Sequence, residues 1–221
     1  SIRQRKPLGR SDRTQRIGKC INNRIIWRYV RARKRSHGHF GRIQHIKMTD
    51  LRVRFIRHQE ISPELRIEIE FAGDDIDNDP EFASIQWATP DWMALGFLHE
   101  ELVTQLSIPK REIMVGAERV LVAGIGGMAT HPSHHRRGFG SVLLKATETF
   151  MRNELQVPFG LLICADETRP FYELANWERV ADLLYYHQED QRRSLHTSVM
   201  ILQLQNQTWL TGKIDLCGTP W

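Results

Sequence analysis

A short polar segment holds the residues of this chain that could do chemistry. The run Val120–Ala129 is apolar and is interrupted by three glycines, which is typical of a buried strand. The segment Thr130–Arg137 follows with three histidines and two arginines, and Gly138-Phe139-Gly140 then leads to Ser141. Glycines before a helix let backbone N–H groups point outward, and the helix dipole adds positive potential. This pattern therefore predicts a phosphate-binding turn.

The element that follows the turn is predicted to be a long helix. Val142, Leu143, Ala146 and Phe150 keep helical spacing, so one face belongs to a core. The glycines do not form the Gly-x-Gly-x-x-Gly fingerprint of dinucleotide-binding folds, and no Gly-Lys-Ser/Thr of a Walker loop follows them. These two classes of nucleotide site are excluded.

The order strand, His-Pro-x-x-x-x-x-Gly-x-Gly-Ser-x-Leu-Leu, long helix resembles motif A of the GNAT superfamily of acetyl-CoA-dependent N-acetyltransferases. The resemblance implies that loop amides wrap the pyrophosphate of coenzyme A, that the end of the strand pairs with the pantetheine arm, and that a backbone amide near Met128 stabilises the oxyanion. One departure is His135, which stands where the family has Arg or Gln. The implied cofactor-binding residues are Met128, Thr130, His135, Arg136, Arg137, Gly138, Phe139, Gly140 and Ser141.

A second run, Arg169-Pro170-Phe171-Tyr172 with Trp177 five residues later, resembles motif B of the same superfamily. There a helix lies beside the thioester and a tyrosine points at the sulfur. The resemblance implies that Tyr172 and the Met128 amide are catalytic, with the phenol giving its proton to the leaving thiolate. An acyl-cysteine route through Cys164 is the alternative, although a buried core thiol is the favoured role.

Within the superfamily, the run from Trp92 to Leu144 and the tail 213–221 are most similar to the aminoglycoside 2'-N-acetyltransferases. This resemblance implies an aminoglycoside-like cationic acceptor, an antibiotic-resistance role and a Trp221 carboxylate that reaches the acceptor cleft. The glutamate proposed as a water-relayed base in those enzymes falls on Gly126, so the base is unassigned among Asp91, Glu100, Glu101 and Asp166. The implied substrate-binding residues are Asp91, Glu100, Glu101, Asp215 and Trp221.

The expected fold class is α/β (α+β), the GNAT fold: a central mixed, mostly antiparallel twisted sheet of about six to seven strands flanked by helices. Residues 62–71 are ambiguous. Ser62-Pro63-Glu64 is a good helix start, whereas the alternation from Leu65 to Phe71 favours a strand; the resemblance implies a helix. The predicted strands are 51–56, 91–98, 102–110 extended by 113–115, 158–165, and a last pair formed by 180–186 and 198–204.

Acidic residues are concentrated in residues 60–101, which hold twelve acidic side chains and one base, Arg66. Asp75, Asp77 and Asp79 imitate the start of a calcium loop, but Pro80 and Gln86 replace the glycine and the glutamate that such a loop needs. No metal site is therefore predicted. The region either concentrates a cationic substrate or is an acidic solvated face, and both interpretations remain open.

The basic charge belongs to the N-terminal part of the chain. Residues 1–50 contain 15 of the 31 Lys and Arg but only 2 of the 26 Asp and Glu. Residues 1–47 are expected to be an extension that binds nucleic acid, stays disordered, or is not natural coding sequence, because Met48 looks like a translation start. We favour the last two interpretations over nucleic-acid binding, and assign residues 48–221 to the acetyltransferase domain.

Three cysteines without a Cys-x-x-Cys pair indicate neither a zinc ribbon nor a disulfide framework. No apolar run is long enough for a membrane span, and the basic N-terminus lacks the apolar core of a signal peptide. The expected location is cytoplasmic. The expected partners are a small cationic amine and a second copy of the chain in a homodimer.

Overall fold

The structure is a computed structural model that describes residues 15–21, 24–30, 50–69 and 84–221. The chain divides into two compact units, Ser1–His45 and Ile46–Trp221. The acidic stretch with Asp75, Asp77 and Asp79 and most of the basic extension lie outside the described residues.

The N-terminal unit contains an antiparallel strand pair, β1 (Gln15–Ile21) and β2 (Arg24–Val30). The register runs from Gln15 opposite Val30 to Ile21 opposite Arg24. The assignment of residues 1–47 as an extension outside the catalytic domain stays a prediction.

The second unit contains the remaining strands and all the described helices. Its strands are β3 (Leu51–Arg57), β4 (Trp92–Leu98), β5 (Glu101–Ile108), β6 (Lys110–Val115), β7 (Glu118–Thr130), β8 (Phe159–Cys164), β9 (Glu178–Val180), β10 (Leu184–Gln188), β11 (Gln191–Leu195), β12 (Ser198–Gln203) and β13 (Ile214–Asp215). Its helices are α1 (Pro63–Ile69), α2 (Phe139–Asn153) and α3 (Arg169–Glu173), with 3-10 turns at His58–Glu60 and Pro132–His134.

These strands form one mixed sheet of eleven strands in the described part of the unit. One path runs β11-β10-β13-β6-β7-β5-β4-β3, and β8 joins β7 and continues to β12 and β9. The β7–β8 and β10–β13 pairs are parallel, whereas the other pairs are antiparallel. The predicted fold class is confirmed, with more strands than the six to seven expected.

The central strand β7 is thirteen residues long because two consecutive strands cover one of its edges. β6 pairs with its first half and β5 with its second half. Pro109 separates β5 from β6, and its carbonyl accepts a hydrogen bond from Gly124 N at 2.7 Å. A proline has no N–H to give to a ladder, so it fits at the junction between the two strands.

The two faces of the sheet are covered differently. On one face, Leu143, Leu144 and Met151 of α2 pack with Leu106 and Ile125 in the main core. On the other face, α1 contributes only the partly buried Leu65 and Ile69 to a smaller cluster with Met93, Leu95 and Phe97. The helix predicted at residues 62–71 is confirmed, and its period-two pattern was misleading because none of its side chains is fully buried.

The predicted pairing of residues 180–186 with 198–204 is right only at Val180, which lies opposite Val199, and is wrong for the rest of the first segment. β10 pairs with β11 through a turn at Glu189 and Asp190, both with positive φ, and the loop expected there therefore contains a strand. β12 pairs instead with β8 and β9. The reason is burial: five of the six residues of β12 are buried, which suits the interior of a sheet, whereas the polar β11 suits its edge.

In the described part of the chain, no helix has both the length and the apolar character needed to cross a membrane.

Candidate active site

An opening between two parallel strands is the central feature of the site. β7 and β8 pair from Val122 opposite Phe159 to Ile125 opposite Leu162. Beyond that point β7 continues to Thr130 and β8 to Cys164 without further pairing to each other. The backbone groups of β7 that face β8 past Ile125 are therefore left for a ligand that lies between the strands.

A β-bulge produces this divergence. Gln105 of β5 lies opposite Ala129, and Ser107 lies opposite Gly126, so β7 has one residue more than β5 in this interval. Gly127 has a φ of 52°, a conformation that glycine adopts without strain. A bulge bends its strand and re-aims the groups around it, and here it turns the end of β7 away from β8.

The start of α2 lies directly against the end of β7. Gly138, the N-cap of α2, has a φ of 80°, and no side chain caps the helix. A Cβ on Gly140 would lie 3.3 Å from both Met128 Cε and Thr130 Oγ1, which leaves little room for a larger residue. The first-turn amides therefore face the opening without a capping group, as an anion-binding helix start requires.

The loop between β7 and α2 has a defined shape. His135 Nε2 lies 2.6 Å from the Thr130 carbonyl and donates to it, while Arg136 has a φ of 59°. His134 is buried, with Nε2 3.2 Å from Glu101 Oε1 and Nδ1 3.5 Å from Arg137 Nη1. Arg136, Arg137 and Ser141 are exposed, so their cationic and hydroxyl groups are accessible at the helix start.

Phe139 has a different role from its neighbours in the loop. Its side chain is 1% exposed and packs with Leu98 and Val103. Only the backbone amide of Phe139 is therefore placed to bind a ligand, and its ring anchors α2 to the sheet.

Tyr172 lies on the far side of the opening, on α3. Its hydroxyl donates to Met128 Sδ at 3.7 Å, and its ring makes edge contacts with Phe171 and Trp177. Burial, with a smaller contribution from Cys164, raises the pKa of the phenol well above its ordinary value. The phenol therefore keeps its proton at neutral pH and is a hydrogen-bond donor aimed at a sulfur atom.

Cys164 and Asp166 follow at the end of β8. Burial raises the pKa of the Cys164 thiol, which keeps it protonated and a poor nucleophile. Asp166 accepts from Ser198 Oγ at 2.5 Å, and this bond lowers the pKa of its carboxyl. An acid with a lowered pKa is a weaker base, so neither group is tuned for proton abstraction.

Trp221 packs on the face of the sheet opposite α2. A Cβ on Gly124 would lie 2.2 Å from Trp221 Nε1, and that nitrogen donates to the Leu161 carbonyl at 3.3 Å. A Cβ on Gly126 would lie 2.8 Å from the backbone carbon of Trp221. The absence of side chains at two glycines of β7 thus makes room for Trp221, which we call the Trp221 site. The backbone of Trp221 lies beside the bulge.

The acidic residues expected to bind substrate lie in different places. Asp91 accepts from Lys110 N at 2.6 Å, and Glu101 contacts His134. Asp215 accepts from Arg192 Nε at 2.9 Å and lies 3.1 Å from His187 Nε2, beside a pocket with Lys213 and Cys217. Of the predicted set, only Trp221 touches the bulge in these contacts.

Glu100 belongs to a separate acidic groove between β3, β4 and α1. This groove has a volume of about 570 Å³, and four carboxylates and one arginine line it. Its charged residues are Glu60, Glu64, Glu68, Glu100 and Arg54.

Two polar residues beside the bulge, Gln105 and Ser107, were missed by the sequence analysis. They alternate on β5 with Leu106 and Ile108, which belong to the core under α2. This period-two pattern of polar residues in an apolar strand was visible in the sequence. It places both side chains on the face of the sheet opposite α2.

Comparison with known families decides what this geometry belongs to. A family model described as an acetyltransferase (GNAT) domain matches residues 71–180. The chain carries a GNAT acetyltransferase domain. The matched segment ends at the last residue of β9 and includes the opening, the helix start and Tyr172. The resemblance to the GNAT superfamily is thereby confirmed, and the protein is an acetyltransferase.

Solved structures similar to this GNAT chain have low sequence identity. ElaA from Escherichia coli is 18% identical, with 68% of this chain and 98% of that chain covered and a TM-score of 0.46. An acyl-CoA N-acyltransferase from Pseudomonas aeruginosa is 14% identical, with 68% and 98% covered and a TM-score of 0.44. FeeM, an N-acyl amino acid synthase from uncultured soil microbes, is 13% identical, with 70% and 91% covered and a TM-score of 0.47. A search of curated proteins found no match.

Proposed function

We propose that this GNAT enzyme transfers an acetyl group from acetyl-CoA to an amine of a cationic, aminoglycoside-like acceptor. The observation that carries the proposal is the end of β7, whose edge toward β8 has no partner strand, beside the uncapped start of α2. These two features would hold the two ends of one long ligand, an extended polar arm and a diphosphate.

The residues of the site fit coenzyme A. The amides of Phe139, Gly140 and Ser141 would hold the diphosphate, with Arg136 and Arg137 adding positive charge. The backbone of Met128 and Thr130 would pair with the amide groups of the pantetheine arm, as one strand pairs with another. His135 would hold the loop in shape through its hydrogen bond to the Thr130 carbonyl. It would not contact the phosphates.

When bound, acetyl-CoA would supply the acetyl group: the acceptor nitrogen would form a bond to the acetyl carbon and lose one proton to water, and the bond between that carbon and the sulfur would break. The chain would contribute placement of the two reactants and a backbone amide at the bulge, near Met128, aimed at the developing oxyanion. Tyr172 would donate its proton to the thiolate as it leaves. Its position 3.7 Å from the sulfur of Met128 supports this role, because the thioester sulfur is the same kind of acceptor.

The acidic groove supports a cationic acceptor. Carboxylates that line a concave surface raise the local concentration of a polyamine before it reaches the reactive centre. Asp91, Asp215 and Trp221 remain proposed acceptor contacts, and the Trp221 backbone beside the bulge is the best placed of them.

Thiol release from acetyl-CoA with tobramycin and kanamycin A tests the proposed acceptor. Only tobramycin carries a 2'-amine, so we expect turnover with tobramycin and much slower turnover with kanamycin A. Equal rates would remove the claim about the position of the amine. An enzyme that acetylates a peptide, lysine or simple polyamine but neither drug would instead be a GNAT with another acceptor.

A further inference from the structure

Gln105 has a buried side-chain amide whose nitrogen is hydrogen-bonded and whose oxygen is not. Its side-chain nitrogen Nε2 donates to the carbonyl of Ile69, the last residue of α1, at 2.8 Å. This bond fixes the orientation of the amide, because the nitrogen must face the carbonyl. The residue is 3% exposed, and its oxygen Oε1 has no hydrogen-bond partner among the described residues.

A second buried glutamine shows what a structural role looks like in the same fold. Gln188 on β10 is 5% exposed. Its Oε1 accepts from Gln86 N at 2.8 Å, and its Nε2 donates to the Ser84 carbonyl at 2.9 Å. Both ends of Gln188 thus fasten a loop, whereas one end of Gln105 is left open. A buried acceptor without a donor destabilises the fold, and such local costs are concentrated at functional sites.

The unbonded oxygen of Gln105 belongs to a side chain beside the bulge, on the face of the sheet opposite α2. Gln105 and Ser107 lie opposite Ala129 and Gly126 and share the face of the sheet opposite α2. Ser107 Oγ would lie 3.0 Å from a Cβ on Gly126. Two residues along a strand separate these oxygen-bearing side chains by about 7 Å.

We propose that Gln105 determines acceptor specificity by accepting a hydrogen bond from a second donor of the acceptor. This inference rests on the proposed acetyl transfer. The reacting amine would lie at the bulge beside Ser107, and a second N–H or O–H about 7 Å away would complete the Gln105 amide. The ligand class is a diamine, or an amino sugar with a second amine or hydroxyl at that distance.

The helix α1, which lies against Gln105, is packed loosely enough to admit such a ligand. The residues of α1 include none that is fully buried, and Ile67 is 71% exposed. A small shift of α1 therefore loses little apolar burial, and it can uncover Gln105 Oε1 for the ligand while the Ile69 carbonyl keeps its bond to Gln105 Nε2.

A matched pair of acceptors isolates this contact. 1,5-Diaminopentane and 1-aminopentane have the same carbon chain and differ only in the second amine. We expect the wild-type enzyme to prefer the diamine in kcat/KM by at least about tenfold. In Gln105→Met the preference falls to near one, while turnover of the monoamine and binding of acetyl-CoA are kept.

Gln188→Met is the control for stability. We expect Gln105→Met to lower the Tm less than Gln188→Met does, because it removes an unsatisfied buried acceptor and leaves only one backbone group, the Ile69 carbonyl, without its partner. Gln188→Met lowers the Tm, because it leaves two backbone groups unpaired, and it keeps the diamine preference. The inference is overturned if Gln105→Met retains the diamine preference. It is also overturned if the wild-type enzyme binds acetyl-CoA but shows no preference for the diamine, or turns over neither amine. Failure to bind acetyl-CoA would instead overturn the proposed function.

Discussion

At the scale of single residues, Tyr172 has the clearest chemical assignment. Its hydroxyl is the only donor to Met128 Sδ among the described contacts, and burial keeps its proton in place. The Arg-Pro-Phe-Tyr run pointed to this residue through its resemblance to motif B, and the catalytic role of Tyr172 stays a prediction. The sequence did not reveal Gln105. Its side-chain oxygen lacks a hydrogen-bond donor, and this can be recognised only once the sheet is assembled.

Tyr172→Phe tests the proton-donor role. Phenylalanine keeps the edge contacts with Phe171 and Trp177 and loses only the hydroxyl. We expect kcat to fall about 100-fold, with little change in the affinity for acetyl-CoA measured by calorimetry. Tyr186→Phe is the control, because Tyr186 is a buried tyrosine of β10 in a different core cluster. Unchanged turnover in the Tyr172 variant would contradict the role.

At the scale of elements, the proposed binding of phosphates at the start of α2 requires that the backbone there stays accessible. Gly138 has a φ of 80° and no capping side chain stands in front of the helix. The motif predicted this turn correctly because glycine spacing is a local property of the chain. The pairing of β10 with β11 and of β12 with β8 was not predictable in that way, since similar apolar runs can form either arrangement.

Gly138→Glu adds a side chain and a negative charge where the diphosphate would lie. We expect no measurable binding of acetyl-CoA by calorimetry. Gly138→Ala is the matched control, because it has the same backbone strain of about 1–2 kcal/mol without the charge, and it should retain weakened binding. If Gly138→Glu kept wild-type affinity, the phosphates would have to bind elsewhere.

Glu148 links α2 to Trp177, which follows the helix that carries Tyr172. Trp177 Nε1 donates to Glu148 Oε1 at 2.9 Å, and burial raises the pKa of this carboxyl above its ordinary value. The folded state therefore binds more protons than the unfolded state between the two pKa values, and its stability falls as the pH rises through that window.

Glu148→Gln removes this pH dependence and keeps the acceptor for Trp177. We expect the variant to have a higher Tm than the wild type at pH 7 and a smaller difference at pH 4. The exposed Glu118→Gln on β7 serves as the control and should give no such pattern. A lower Tm for Glu148→Gln at pH 7 would show that the ionised carboxylate stabilises the fold.

At the scale of the whole molecule, the tail of the chain completes the sheet. Ile214 and Trp221 pack in the same core cluster as Val122 and Leu161, and β13 joins β6 to β10. The sequence pointed to Trp221 through family resemblance. The space that Gly124 and Gly126 leave for its side chain can be seen only in the fold, where β7 and the tail lie together.

Gly124→Ala tests whether the packing of Trp221 requires the space at position 124. The new Cβ would lie 2.2 Å from Trp221 Nε1, so the indole must move. We expect a loss of stability of about 1–3 kcal/mol in urea unfolding. In a Trp221→Ala background the same substitution should cost much less, because the clash is gone. Equal costs in both backgrounds would mean that the indole does not limit this position.

The central claim is that the opening between β7 and β8 and the start of α2 together bind acetyl-CoA. Titration of acetyl-CoA into the folded wild-type protein, followed by calorimetry, tests it most directly. The account predicts one site per chain with a dissociation constant on the order of 1 μM to 1 mM, the usual range for enzyme substrates. No binding by well-folded protein would contradict it.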